Sequence, residues 1–315
     1  MDEIMNGEAT DSQIAGFLVA LRLKGETVEE MVGLVTSMRA HATTLDAPAG
    51  TVDTCGTGGD GSGTFNISTA AAIVARGAGA PVAKHGNRSA SSICGSADVL
   101  EALGVPVTLT PGQVQECLDR VGICFMLAPT FHPAMKHAAI PRKDLGVRTV
   151  FNFLGPLANP AQVRRQAVGV ASAEMAPLIV AVLQELRHER ALVFHGHDGL
   201  DELSTAAPSH VWELRGGEIS EYDVDGVSLG LSAARPDDLK GGDATVNAEI
   251  INGVFDGREG PQRDVVLLNS GAALVASALA DDLAAGVEMA RTSIDSGAAR
   301  RTLDDLRTTA SGLAV

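Results

Sequence analysis

The sequence predicts an α/β fold, a mainly parallel central sheet flanked by helices with a smaller all-α domain. Three observations carry this. Residues 1–46 show only helix-type apolar spacing. From Thr51 onward, short apolar runs alternate with glycine-rich loops and helical stretches, the texture of repeated βαβ units. The glycine-rich and polar loops follow directly on the expected strands, which places them at the carboxyl edge of the sheet, where such folds bind ligands.

In the helical part, Ile14, Phe17, Leu18 and Leu21 share one face of a first helix. A second helix begins at Thr27, with Glu30 completing a capping box, and turns Met31, Leu34 and Met38 inward. Pro48, Ala49 and Gly50 break the pattern. Residues 51–54 are then expected as a strand, 67–78 as a helix, 81–83 as a strand, 97–103 as a helix and 105–109 as a strand. Further on, 166–170 and 191–195 are expected strands around a helix at 175–187. The proline-punctuated stretch 131–160 reads as helical and is expected to pack on the N-terminal helices. The expected division is a small helical domain, 1–46 together with 131–160, and an α/β domain of 51–130 and 161–315.

Composition narrows the function classes. A chain of 315 residues with 45% hydrophobic residues can bury a full core; with 3% aromatics, aliphatic side chains must fill it. A formal charge of −15 argues against a general nucleic-acid or anionic-membrane surface, while leaving room for a local phosphate pocket. Cys55, Cys94, Cys117 and Cys124 have no paired spacing and suit reduced thiols. No basic stretch leads into an apolar segment at the start, and the apolar run 267–287 is interrupted by Asn269, Asp281 and Asp282. A cytoplasmic protein with no membrane or nucleic-acid partner is expected.

Three loops carry chemistry. Cys55-Gly-Thr-Gly-Gly-Asp60-Gly-Ser-Gly-Thr64 leaves a strand, and Asn66, Ser68 and Thr69 stand where a helix begins. Glycines allow close backbone approach, and the N–H groups of such a loop and helix start form an anion site; the plainer alternative is a capped turn. Gly56, Gly58 and Gly61 also satisfy the dinucleotide pattern, but the second strand leads into Lys84-His-Gly-Asn-Arg88 rather than to an acidic residue, and no lysine follows the last glycine of the first loop as a Walker loop needs. Lys84 and Arg88 around a turn glycine, followed by Ser89, Ser91, Ser92 and Ser96, suit a second oxyanion-rich group. The third loop, His195-Gly-His-Asp198-Gly-Leu-Asp201-Glu202, offers adjacent carboxylates for a hard cation such as Mg2+. A zinc or hydrolase site on His195 and His197 lacks further ligands of suitable spacing, and no hydrolase elbow or triad is visible.

Together these loops resemble the anthranilate phosphoribosyltransferases, of the nucleoside phosphorylase-like glycosyltransferases. Gly56–Asp60, Lys84–Arg88, the Asp201-Glu202 pair, and the segments 131–142 and 151–160 match the family's signatures in order and spacing, along nearly the whole chain. The resemblance implies transfer of the phosphoribosyl group of 5-phosphoribosyl 1-diphosphate to the amine of anthranilate, in a homodimer joined through the helical domains, with Mg2+ as cofactor. By matched position, Gly56, Gly59, Asp60, Thr64, Asn66, Ile67, Ser68, Thr69, Lys84, His85, Gly86, Asn87, Arg88, Ser89, Ala90, Ser91, Ser92 and Ser96 would bind the sugar diphosphate. Ser68, Asp201 and Glu202 would hold the metal; Lys84, Asp201 and Glu202 would serve catalysis; Gly56, Asn87, His132 and Arg142 would meet anthranilate. Met135 departs from the family, many of whose members carry an aromatic there. The rivals are a pyrimidine nucleoside phosphorylase of the same fold and a non-catalytic homologue.

Overall fold

The computed structural model describes residues 1–89 and 93–314. Helices α1 (Asp2–Met5), α2 (Asp11–Lys24) and α3 (Val28–Ala40) lead, the longer two opened by reciprocal capping boxes, Thr10 with Gln13 and Thr27 with Glu30. Ile14, Leu18, Leu21, Met31, Leu34 and Met38 are buried as their spacing predicts, whereas Phe17, at the rim of the α2 stripe, stays 39% exposed. The alternating part begins with β1 (Val52–Gly56), α4 (Ile67–Gly77), β2 (Val82–Gly86), α5 (Ser96–Ala102), α6 (Pro111–Val121) and β3 (Ile123–Leu127). Short helices α7 (Ala128–Phe131), α8 (Ala139–Leu145) and α9 (Phe151–Leu157) follow, with α8 against α2 and α9 against α3. Then come β4 (Arg165–Gly169), α10 (Ala176–Glu185) and β5 (Arg190–Gly196), the hairpin β6 (Ser209–Arg215) and β7 (Glu218–Val224), and four helices, α11 (Ala244–Phe255), α12 (Pro261–Ala276), α13 (Leu283–Asp295) and α14 (Ala298–Leu313).

The strands form one sheet in the order β3-β2-β1-β4-β5-β6-β7, parallel from β3 through β5 and antiparallel at β6 and β7. Alternate side chains of the central strands enter opposite cores. Ala167, Leu192 and Phe194 pack with α4 and α12, while Val168, Ala191 and Val193 pack with α3 and α10. Two sequence expectations change. Residues 105–109 pair with no strand among the described residues; Val105, Val107 and Leu109 are buried, so their period of two reports an extended link pressed onto the core. And β2 runs on through His85 to Gly86, so Lys84 is a buried strand residue rather than part of a solvated turn.

Candidate active site

The order of the sheet reverses between β1 and β4, since β2 and β3 extend one way and β5 the other. Ligands bind such sheets at the crevice that this reversal opens. Here Gly56 and Gly169 close the two central strands as a register pair. A Cβ on Gly56 would overlap the Asp201 carboxylate, and one on Gly169 the Asp201 backbone carbonyl. Glycine at both strand ends is what lets the Asp201-Glu202 loop lie directly across the switch point. Asn269, the polar interruption in the apolar run that becomes α12, anchors that loop: its side chain accepts from Leu203 N–H (3.0 Å) and donates to Leu203 O (2.9 Å).

Both carboxylates reach the N–H groups expected to form an anion site. Gly58 N–H donates to Asp201 Oδ2 (2.6 Å), and Ser68 N–H, in the first turn of α4, donates to Glu202 Oε1 (3.2 Å). Burial, reinforced by Asp60, pushes Asp201 up to about 7; burial and the Asp201 charge raise Glu202 as well. Lys84 reaches the Glu202 side of the pair from β2, its ammonium donating to Thr54 O and to Ser68 Oγ (3.3 Å). Behind it, buried Asp53 accepts from His85 N–H (3.2 Å) and Asn159 Nδ2 (2.8 Å). Burial lowers the lysine and raises this aspartate. Asp53 and Glu202 thus share one buried lysine, and Asp60 and Asp201 add their charge beside Glu202, a cluster short of positive charge.

Asp60, Lys84, Asp201 and Glu202 line a cleft of about 680 Å³ between the sheet edge and α8–α9, with Asp53 buried behind it. On its wall the His85 and His132 rings stand 5.0 Å apart. Burial holds both neutral, at about 3 and about 4, and the Nε2 atom of each is buried without a partner among the described residues. The Arg142 guanidinium sits 5.3 Å over the Phe151 ring and makes no ion pair among the described residues. Arg148 crosses the glycine loop, donating to Gly58 O (2.8 Å) and stacking on Phe153 (5.5 Å). Gly59, at φ +76°, lies directly beneath its guanidinium, so a side chain there would strain the backbone and displace the arginine from the loop.

Residues 49–300 match the glycosyl transferase family, a/b domain, and residues 1–42 match that family's helical bundle domain. An anthranilate phosphoribosyltransferase of an Arthrobacter species is 54% identical over 310 residues, covering 96% of this chain and 88% of that protein. That of Brevibacillus brevis is 53% identical over 315 residues, covering 99% and 92%. The chain belongs to the anthranilate phosphoribosyltransferase family. Solved anthranilate phosphoribosyltransferases share its fold: that of Thermus thermophilus superposes with a TM-score of 0.94 at 41% identity, covering 98% of this chain and 93% of that one. The Saccharomyces cerevisiae anthranilate phosphoribosyltransferase in complex with PRPP and Mg gives 0.89 at 31% identity, covering 96% and 86%.

In this member of the anthranilate phosphoribosyltransferase family every described residue assigned from the sequence to the sugar diphosphate, the metal or anthranilate lines the one cleft, from Gly56 through Ser96 to His132, Arg142, Asp201 and Glu202, whereas His195, His197 and Asp198 do not. Ala90, Ser91 and Ser92 lie outside the described residues. Within the cleft some side chains are already engaged. Arg88 grips Glu101 with both terminal nitrogens (2.6 and 2.7 Å) and reaches Asp98 (3.3 Å). Asn66 precedes α4 but makes no side-chain cap; it donates to Cys94 O and accepts from Asn247, tying α4 to the segment before α5 and to α11. Thr64 forms an isolated bridge with Lys240, and Ser96 donates to Asn87 O. Sequence reasoning missed Arg148, which belongs to no motif, and Asp53, whose only signal was a carboxylate in the middle of an apolar strand.

Proposed function

We propose that this cleft binds 5-phosphoribosyl 1-diphosphate and anthranilate and joins them, releasing pyrophosphate, the step that commits anthranilate to tryptophan biosynthesis. The observation that carries the reading is the buried Asp201-Glu202 pair laid across the switch point against the glycine loop, with Lys84 between the pair and Asp53. Asp201, Glu202 and the Ser68 hydroxyl are oxygen donors of the kind hard divalent cations take, and they would hold Mg2+, which when bound offsets charge on the departing diphosphate.

The C1–O bond to the diphosphate breaks as positive charge develops on the ribose, and the amine nitrogen of anthranilate forms the C1–N bond. That nitrogen is uncharged near neutral pH and loses its proton only after attack, so no general base is assigned. The protein's part is to orient the reactants and to present preorganised charge. The N–H groups of the glycine loop and of the first turn of α4 face the diphosphate, aided by the Lys84 charge. Residues 84–92 and Ser96 flank it, and Arg148 supplies the cation nearest the loop. Arg142 pairs with the anthranilate carboxylate, while Gly56, Asn87 and the neutral His132 shape its seat.

Residues 1–46 with 131–160 form the smaller helical unit, and 51–130 with 161–315 the α/β unit. The exposed Phe17 and Leu23 side chains on α2 support a homodimer through the helical part. No helix among the described residues is long and apolar enough to cross a membrane. Incubating the chain with the sugar diphosphate, Mg2+ and anthranilate is expected to consume anthranilate fluorescence and release pyrophosphate in step. Release of neither product would overturn the assignment.

A further inference from the structure

Outside the cleft, the sheet's antiparallel edge gathers a second set of donors. His197 follows β5, four positions before Asp201, and its backbone N–H donates to Pro208 O (2.9 Å), which fixes it beside the start of β6. His210 and Asp223 are a directly opposed register pair on β6 and β7. Their side chains meet at 2.7 Å (Nδ1 to Oδ1), and His197 Nε2 lies 3.8 Å from the same carboxylate oxygen. One donor atom from each of the three falls within 4.8 Å of the others. The His210 ring is braced edge-on by Trp212 at 4.4 Å. None of the three lines the catalytic cleft.

We propose that His197, His210 and Asp223 form a binding site for a borderline divalent cation of the zinc class. Two imidazoles and one carboxylate are the donor set that selects such ions over magnesium. In a tetrahedron with bonds of about 2.0–2.1 Å, donors stand about 3.3 Å apart; the observed 2.7 and 3.8 Å straddle this, and exposed side chains can close the difference. Three adjacent segments of one sheet supply the donors, so the backbone is already in place before the ion arrives. The fourth position opens to water, and Glu221, whose carboxylate is 3.3 Å from His210 Nε2, would accept the N–H on the far side of that ring. A bound ion would cross-link edge strand β7 to the loop that carries the catalytic carboxylates.

The test titrates Co2+ and Zn2+ into tag-free protein under saturating Mg2+, which occupies the carboxylate pair. Wild type is expected to bind one equivalent with the visible absorption of low-coordinate, nitrogen-ligated cobalt, and to gain thermal stability with Zn2+. The H197A/H210A double variant should lose that absorption and the thermal gain, and D223N should bind at least tenfold more weakly, with metal-free melting and Mg2+-supported turnover unchanged in both. Retention of the cobalt signal in the double variant, or no binding by wild type, would overturn the proposal and leave the three residues as a surface ion-pair network.

Discussion

Removing the Asp201 charge tests how the carboxylate pair is held. In the absence of metal its carboxyl is pushed from an ordinary 3.8 up to about 7, first by burial and then by Asp60. The folded chain therefore keeps a proton here that the unfolded chain releases at lower pH. The stability this contributes is complete below about pH 4 and is lost as pH rises through about 7, and the gap amounts to about 4 kcal/mol. Asp201→Asn does not titrate, keeps an oxygen to accept from Gly58 N–H, and fills the same volume. In chelator, the variant is expected to match wild type below about pH 4, to exceed it increasingly between about pH 4 and 7, and to keep a constant lead of up to about 4 kcal/mol above that. Urea unfolding at each pH measures the difference directly. In the presence of Mg2+ the variant should lose about 10- to 100-fold in kcat/KM, the worth of one charge-assisted contact. Extra Mg2+ should restore part of that loss, but not in the double Asp201→Asn, Glu202→Gln variant. An offset from wild type that is constant across pH, or near-native turnover by the double variant at low Mg2+, would refute the reasoning.

Lys84→Ala should lower kcat/KM for the sugar diphosphate about 10- to 100-fold. Because it removes the buried positive charge acting on Asp53, which keeps its bonds from His85 N–H and Asn159, it should also lower the stability of the fold in urea melts; an unperturbed melt would mean that the Lys84 charge does not support Asp53. Arg142→Ala is expected to raise the anthranilate KM about tenfold or more while leaving that of the diphosphate in place, and the reverse pattern in initial-rate kinetics would reassign the residue. For Arg148→Ala the expectation is a raised diphosphate KM with a melting temperature close to wild type, since the lost contact to Gly58 O is solvent-exposed. A change confined to the anthranilate KM would remove Arg148 from the diphosphate side.

Much of this was legible in the chain itself, because βαβ units announce themselves by alternation and the loops by their glycines. What escaped did so for physical reasons. β3, Ile-Cys-Phe-Met-Leu, is buried at every position and so shows no period of two. The β6–β7 hairpin was signalled by Gly216-Gly217 between two seven-residue strands, a turn pair favoured in tight hairpins. Residues 105–109 show the opposite failure, where periodic burial occurs without a partner strand. Motif reading placed the cleft residues by position but could not see their engagements: that Lys84 sits inside a strand, that Arg88 is taken by Glu101, or that Arg148 arrives from a distant segment to cover Gly59.

The carboxylates bonded to Gly58 and Ser68 N–H mean that the empty enzyme is its own first ligand. A bare phosphate approaching the loop would have to evict an acid from its donor and then sit beside it, at a loss. On the proposed function, a diphosphate that arrives with its cation would instead offer the acids a better partner and free the N–H groups in the same exchange. Discrimination against the abundant free anions of a cell would thereby be built into the starting state, before any contact with ribose or anthranilate is made.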